Sequence, residues 1–301
     1  MNHKNIQQKK PWRINFSSGL EFNPYGVPDR TLPLFFVNFS DHDSDRLISR
    51  QPLSIGALLE TRAVASELNA CEECTAFISE SLADFKTKLQ INLQEKTNIL
   101  YNKGLTTYTA PAHLLSFFCD IKDPLATYAY GAALANIALN LTAEHFQMLR
   151  SPESFFAFGK DRVRAFCERQ SCGYAFAAIA RQAPKYSPES GVDEWLNAAL
   201  HNSNLPSKKQ IFEEAKKNVS SLDFSFDGAR FREIMSYYRG LAKSYLNLME
   251  RRTEQELFLS DLFQQKLLSP ILIDEEGELF AISKVVDEKK YVPECTVMVM
   301  T

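Results

Sequence analysis

The chain has 301 residues, of which 45% are hydrophobic and 24% are charged. This composition is typical of a folded globular protein, and the length suits one large domain or two ordinary ones. The 22 Phe and 11 Tyr, against 11 Gly, favour packed helices over a glycine-lined phosphate site. Because the formal net charge is −3 and the sequence has no long basic run, we expect no nucleic-acid binding.

Two features of the sequence bear on the cellular compartment. The first residues, MNHKNIQQKKPW, contain no apolar core of the kind found in signal peptides. The most apolar stretch, residues 125–141, is shorter than a bilayer-spanning helix and contains Asn136 and Asn140. We therefore predict a cytoplasmic protein with no integral membrane segment and with its six cysteines reduced. Export by a route that uses no signal peptide is compatible with the same features.

The N-terminal part of the chain follows strand patterns. Residues 12–22 alternate between apolar and polar side chains, and residues 32–39 form a short apolar run typical of a central strand. The cluster NPYGVPDR between them predicts a turn. The next segment, SDHDSDR, places three aspartates at alternate positions but lacks the glycine and the closing glutamate of a calcium loop. We interpret it as a polar loop that caps a short helix through RLISR.

Residues 54–268 carry helical periodicity. Apolar residues recur at steps of three and four through residues 64–93, which predicts one long amphipathic helix. A second stripe runs through residues 227–268 and is interrupted at residues 250–256, whose charged sequence ERRTEQE predicts a solvent-exposed tip or break. Shorter helices are expected between these two, and the apolar stripes should pack against one another.

The C-terminal part returns to strand patterns. Two charged turns separate three candidate strands, residues 270–273, 278–286 and 291–300. Because a hairpin is marginally stable alone, we predict that this meander joins the N-terminal strands in one mixed sheet, built from residues 12–40 and 270–300. The predicted fold class is therefore α+β, a predominantly helical bundle with a small mixed β-sheet, and residues 1–301 are expected to form a single unit.

Four cysteines form two closely spaced pairs, C-x-x-C at Cys71 and Cys74 and C-x4-C at Cys167 and Cys172. A structural zinc site needs four ligands, so zinc would require both pairs to converge. Both pairs lie within helical pattern, however, and Cys71 occupies an apolar stripe, which favours packing of the thiols in the core. A redox dithiol is expected directly after a strand, at a helix start, which is not where the first pair lies. Packing is the preferred interpretation and zinc is the specific alternative.

The sequence contains no short motif of a common enzyme class. G-x-S-x-G, H-E-x-x-H, Walker A and G-x-G-x-x-G do not occur. The absence of these motifs argues against the common hydrolases, nucleotide-binding proteins and zinc proteases. An enzyme without a short signature remains the alternative. Convergence of Cys119, Cys167 and His145 in one pocket would favour that alternative.

A non-enzymatic adaptor or accessory subunit, which binds other proteins through helical surfaces, is the function we predict. The candidate partner contacts lie near a predicted break and on the last long helix: Phe155, Phe156, Tyr237, Arg251 and Arg252. Loop aromatics more often fold back into the core, which is the competing interpretation for the first two. A bacterial secretion or effector-recruitment complex is one setting for such a subunit, although no residue indicates it. The sequence predicts no oligomeric state.

Overall fold

The computed structural model describes most of the chain, namely residues 13–22, 25–41, 43–77, 83–98, 106–221, 229–252, 271–273 and 279–281. Helices dominate these ranges, and a small antiparallel sheet accompanies them. The predicted α+β class, with a predominantly helical body, is confirmed. No helix within the described ranges combines the length and the apolar character that a bilayer span requires.

Three N-terminal strands form an antiparallel sheet in the order β1-β2-β3. The strands are β1 (Arg13–Phe22), β2 (Pro28–Ser40) and β3 (Leu47–Pro52). β3 pairs with the edge of β2 that β1 leaves free. The predicted short helix through RLISR is therefore wrong. The backbone groups of β2 provide hydrogen-bond partners for this segment, and that tertiary pairing outweighs the weak local pattern.

The two C-terminal strands, β4 (Ile271–Ile273) and β5 (Leu279–Ala281), pair with each other. They coincide with the first two strands of the predicted meander, and the third, residues 291–300, lies outside the described residues. Among the described strands, neither β4 nor β5 pairs with the N-terminal sheet. The third strand of the N-terminal sheet comes instead from the adjacent segment, whose short connection costs little chain entropy to close. Its pairing is antiparallel rather than mixed.

The helices follow in a continuous series between the two groups of strands. They are α1 (Ile55–Phe77), α2 (Ala83–Asn98), α3 (Thr106–Cys119), α4 (Pro124–Leu139), α5 (Ala143–Met148), a 3₁₀ helix (Glu153–Phe158), α6 (Lys160–Glu168), α7 (Cys172–Gln182), α8 (Val192–Asn202), α9 (Lys208–Ser221) and α10 (Ala229–Arg251). The central helix is α4, which contacts α1, α3, α7 and α8. Its alanine-rich sequence allows these neighbours to approach closely, and residues 130–138 are all buried.

The sheet packs on the helices through aromatic rings. Phe16 on β1 and Phe35 on β2 lie 4.8 and 5.6 Å from Phe155, measured between ring centroids. Phe166 on α6 stacks at 5.2 Å on Tyr174 of α7. Tyr174 is fully buried, and its hydroxyl forms a 2.6 Å hydrogen bond with Ser151 Oγ. The cluster joins β1, β2, the 3₁₀ helix, α6 and α7 in the main core.

Residues 64–93, predicted as one long helix, contain parts of two helices. Leu93 on α2 packs against the buried cluster that includes Leu68 on α1. In one straight helix these residues would be about 37 Å apart, so the chain reverses direction between α1 and α2 and the single-helix prediction is wrong. Periodicity alone could not reveal the reversal because both helices continue the same spacing of apolar residues. Among the described side chains of residues 69–76, none is buried, so this end of α1 extends past the core.

Candidate functional site

An open groove of about 510 Å³ lies between three helices of the described structure. One wall is α1, which contributes Asn69 and Glu72, three residues apart and therefore on the same helix face. The other wall is formed by the residues that enter α8, Ser190 to Val192, and the N-terminal half of α4 lies between the two walls. The volume falls within the roughly 300–1,000 Å³ typical of ligand-binding pockets.

The floor of the groove is apolar and comes mainly from one face of α4. Its residues are Leu125, Ala126, Ala129 and Tyr130, with Val192 beside them on α8. The spacing of the α4 residues places them together on consecutive turns. Ala126 and Ala129 are half-buried and small, so the groove retains space at positions where larger side chains would fill it.

The loop that enters α8 is anchored to α4 by hydrogen bonds and ring contacts. Tyr130 donates a 2.7 Å hydrogen bond to the carbonyl oxygen of Ser190, and the indole N–H of Trp195 donates one of 2.9 Å to the carbonyl of Pro184. The Tyr130 ring also lies 5.0 Å from the Trp195 ring and 5.3 Å from the Tyr186 ring, measured between centroids. These contacts give the groove a defined wall in the absence of any partner.

The charges in the groove are negative. Glu72 and Asp123 supply carboxylates, and none of the described residues that line the groove is Lys or Arg. Asp123 caps α4, since its carboxylate accepts the backbone N–H groups of Leu125 and Ala126 at 3.4 and 3.0 Å. The first turn of α8 likewise carries two acidic residues, Asp193 and Glu194. A helix N-terminus has only about half a positive charge, so the Asp123 carboxylate leaves the start of α4 net negative. At α8, Asp193 also forms a 3.2 Å ion pair with Lys208, which leaves Glu194 to offset the positive helix end.

The cysteines of the predicted zinc site lie in separate parts of the fold. All four are free: Cys71 and Cys74 lie on α1 beyond the core, whereas Cys167 on α6 and Cys172 on α7 pack against the main core. Across the described residues, no three His, Cys, Asp or Glu side chains come together as a possible metal site. The structure therefore does not bring the two cysteine pairs together as four ligands of one ion.

Burial suppresses ionisation of the core thiols. It raises the pKa of Cys119 to about 12 and that of Cys167 to about 11, and it also raises the pKa of Cys172. The Cys119 thiol donates a weak 3.8 Å hydrogen bond to the carbonyl of Ala180. Because the thiolate is the reactive form, these cysteines behave as apolar core residues rather than nucleophiles.

His145 forms a buried polar contact between α5 and α9. Its Nδ1 accepts the backbone N–H of Thr142 at 3.0 Å and lies 3.2 Å from the Thr142 hydroxyl. Because Nδ1 is an acceptor, the proton is on Nε2, which lies 2.8 Å from a Glu214 carboxylate oxygen without the alignment of a hydrogen bond. Burial is the main cause that lowers the His145 pKa, opposed by Glu214 and then Glu144.

The contacts from the Thr142 hydroxyl to His145 and from His145 to Glu214 resemble those of a catalytic triad, in which a nucleophile, a base and an orienting acid follow one another. However, the nitrogen that faces the Thr142 hydroxyl already accepts a backbone N–H, so its lone pair cannot take the hydroxyl proton. The arrangement therefore caps α5 and holds it against α9. Neither His145, Cys119 nor Cys167 lines the groove.

The predicted partner contacts are scattered. Phe155 is fully buried in the aromatic cluster, because the 3₁₀ helix turns this ring inward. Phe155 therefore cannot contact a partner as predicted. Its neighbour Phe156 is 42% exposed. On α10, Tyr237 is half-buried, and at the end of that helix Arg251 is exposed and Arg252 half-buried. None of these five residues lines the groove.

Sequence reasoning missed the residues that form the groove. Residues 125–141 are predicted only as a buried helix, and Glu72 is not among the predicted site residues. The available signal was weak: small residues at positions 126 and 129, on the same helix face, next to a capped helix start. No protein-family model, no curated protein and no solved structure matches this chain.

Proposed function

We propose that this chain is a non-enzymatic, cytoplasmic adaptor or accessory subunit that binds a partner protein in the groove between α1, α4 and α8. The observation that supports the proposal is the groove itself, with an apolar floor, helical walls and a loop held in place by Tyr130. A preformed groove loses little conformational entropy on binding, and more of the contact energy therefore contributes to affinity.

The groove lining favours binding over catalysis. Among the described lining residues there is no His, Cys or Lys, which are common bases and nucleophiles. Of its two carboxylates, Asp123 already accepts two backbone N–H groups as a helix cap. The enzyme alternative is not favoured by any arrangement that we find among the described residues.

The partner in this proposal is a protein rather than a nucleic acid, because the groove carries carboxylates that would repel a phosphate backbone. A bacterial secretion or effector-recruitment complex is one setting in which such an accessory subunit would operate. The half-exposed Phe156 and the residues at the end of α10 lie outside the groove and are secondary candidate contacts.

Site-specific crosslinking in the native cell tests the proposal. We would place the photoreactive amino acid p-benzoylphenylalanine at the position of Asn69, irradiate the cells, and identify the crosslinked protein by mass spectrometry. We expect one predominant adduct, and its loss when the groove is filled by Ala126→Arg. Ala63→Arg is the matched control, because Ala63 is exposed on α1 and does not line the groove.

The proposal fails if Ala126→Arg, with an unchanged circular dichroism spectrum, retains the same adducts as Ala63→Arg. It also fails if the purified protein carries a bound metabolite in the groove and no stoichiometric protein partner. Both variants introduce the same side chain on a helix, so a difference between them reports on the groove rather than on added charge.

A further inference from the structure

We infer that the groove between α1, α4 and α8 binds a basic amphipathic segment of the partner, in which Lys or Arg residues alternate with small apolar ones. This inference rests on the proposed function and adds the chemistry of the bound segment. Three properties of the groove support it: the sign of its charge, the position of its carboxylates beside an apolar floor, and the polar groups available at its edge.

The negative charge extends beyond the two lining carboxylates. Residues 69–77, which include the groove wall on α1, contain two acidic residues, Glu72 and Glu73, and no Lys or Arg. Residues 186–194, which lead into α8, contain three acidic residues and no basic one, and one of the three, Asp193, is paired with Lys208. A cationic segment is therefore attracted to the groove from both sides, whereas an acidic one is repelled.

The helix starts do not reverse this sign. Helix N-termini commonly bind anions, and both α4 and α8 begin at the groove. At α4, however, the N–H groups of Leu125 and Ala126 already donate to the Asp123 carboxylate. At α8 the first turn carries Asp193, which is paired with Lys208 at 3.2 Å, and Glu194, which offsets the positive helix end. Asp123 and Glu194 thus offset the two positive helix ends, so the lining carboxylates set the sign of the groove's charge.

The apolar floor separates a basic segment from a simple cation. Ala126 and Ala129 line the same groove as Glu72 and Asp123. Lys and Arg have aliphatic stems that pack on apolar surface while the charged end reaches a carboxylate. A floor of alanines beside carboxylates matches this shape, and the larger Leu125 and Val192 offer contacts for apolar residues between the basic ones.

Polar groups at the α1 wall are available to a bound segment. Within the described part of the chain, the exposed Glu72 carboxylate forms no ion pair. The side-chain amide of the half-buried Asn69 likewise forms no hydrogen bond with the described residues. The amide can both donate to and accept from the backbone of a bound segment, one helical turn away from the Glu72 carboxylate. Asn69 and Glu72 together provide one polar contact for the backbone and one for a basic side chain.

Fluorescence anisotropy with a defined probe tests this inference. The probe is a short fluorescein-labelled peptide of Leu, Ala and Lys in an amphipathic pattern, and its control has Glu in place of every Lys. We expect the Lys peptide to bind, more weakly as ionic strength rises, and the Glu peptide not to bind. Glu72→Lys should weaken binding roughly tenfold, and Ala126→Arg should abolish it.

Glu67→Lys is the matched control for general electrostatic attraction. Glu67 is exposed on the same helix but does not line the groove, so the two variants change the net charge equally. We expect Glu67→Lys to weaken binding less than about twofold. Equal losses in the two variants would overturn the inference, and so would binding of the Glu peptide or displacement of the Lys peptide by an equal concentration of spermine.

The failure of this inference is distinguishable from failure of the proposed function. If the Asn69 crosslink persists and depends on Ala126 while the Lys peptide neither binds nor competes, the groove binds a partner whose segment is not basic. If the crosslink is absent or insensitive to Ala126→Arg, the proposed function itself is wrong.

Discussion

The hydroxyl of Tyr130, on the central helix α4, donates a 2.7 Å hydrogen bond to the carbonyl oxygen of Ser190 in the loop that enters α8. The two residues are 60 positions apart in sequence, and both line the groove. This bond connects the stability of the fold to the shape of the groove, because it joins the buried helix to the loop that forms one wall.

Tyr130→Phe should therefore affect both properties. It removes one hydrogen bond to a backbone carbonyl while keeping the ring contacts, and we expect a loss of about 1 kcal/mol in the free energy of unfolding. Urea denaturation followed by circular dichroism measures that loss. Affinity for the Lys peptide should also fall, because the Ser190 wall is less firmly held. Unchanged stability and affinity would show that the bond contributes nothing to either property.

Gly173 is required where α7 begins beside the end of β3. A Cβ atom at this position would lie 1.6 Å from the backbone carbonyl oxygen of Leu53, which no side-chain rearrangement can relieve. Gly173→Ala should therefore force the backbone apart and destabilise the fold by about 3 kcal/mol. Gly240→Ala on α10 is the matched control, since a Cβ there meets nothing within 4 Å.

Only the first of the two glycine variants should lose stability. In an exposed helix, alanine is favoured over glycine by roughly 1 kcal/mol, so Gly240→Ala should be neutral or stabilising. Thermal denaturation of the two variants beside the unsubstituted protein measures both effects. A Gly173→Ala protein as stable as the unsubstituted one would contradict the close approach of α7 to Leu53.

The parts of the fold that could be predicted from sequence are those specified by neighbouring residues. The start of α4 is an example: Asp123 can cap and Pro124 fits the first helical position whatever lies around them. β3 is the opposite case, because its strand conformation depends on pairing with β2. Likewise, the reversal between α1 and α2 leaves the helical spacing of apolar residues unchanged.

The groove was beyond sequence reasoning for a related reason. It exists because α1, α4 and the start of α8 meet at one place, although Glu72, Ala126 and Val192 are far apart along the chain. Each of these residues has an ordinary local role on its own helix. Only their tertiary arrangement places a carboxylate beside an alanine floor, and no residue pattern within a single helix encodes it.

Acidification should weaken the fold through His145. Burial lowers the pKa of this residue in the folded protein, below the value of about 6.5 expected in the unfolded chain. As the pH falls, the unfolded chain therefore takes up a proton first, and stability is lost from about pH 6.5 down through the lower folded-state pKa. Melting temperatures measured between pH 7.5 and about pH 5 should fall accordingly.

His145→Gln identifies the source of that pH dependence. The substitution removes the titrating group, so the melting temperature should vary less over this range, although the variant is less stable at neutral pH because the cap of α5 is altered. His201→Gln is the control, since His201 is exposed at the end of α8. If the two variants show the same pH dependence as the unsubstituted protein, another group is responsible.

The cysteines should differ in reactivity according to their burial. With its pKa raised to about 12, roughly one Cys119 thiol in ten thousand is ionised at pH 8, and alkylation should leave this residue unmodified in the folded protein. Cys71, half-exposed on α1, should react faster than Cys119. Mass spectrometry of peptides after timed exposure to iodoacetamide measures both rates, and denatured protein provides the control in which all cysteines react.

The same preparation tests the zinc alternative, because four thiolates bound to zinc would be protected together. We expect less than one zinc per chain by elemental analysis, and an unchanged rate at Cys71 after treatment with a chelator. One zinc per chain that is lost in Cys71→Ser, with joint protection of Cys71, Cys74, Cys167 and Cys172, would instead require the two helical segments to come together around the metal. That arrangement would move α1 relative to α6 and α7, and it would reshape the groove that α1 borders.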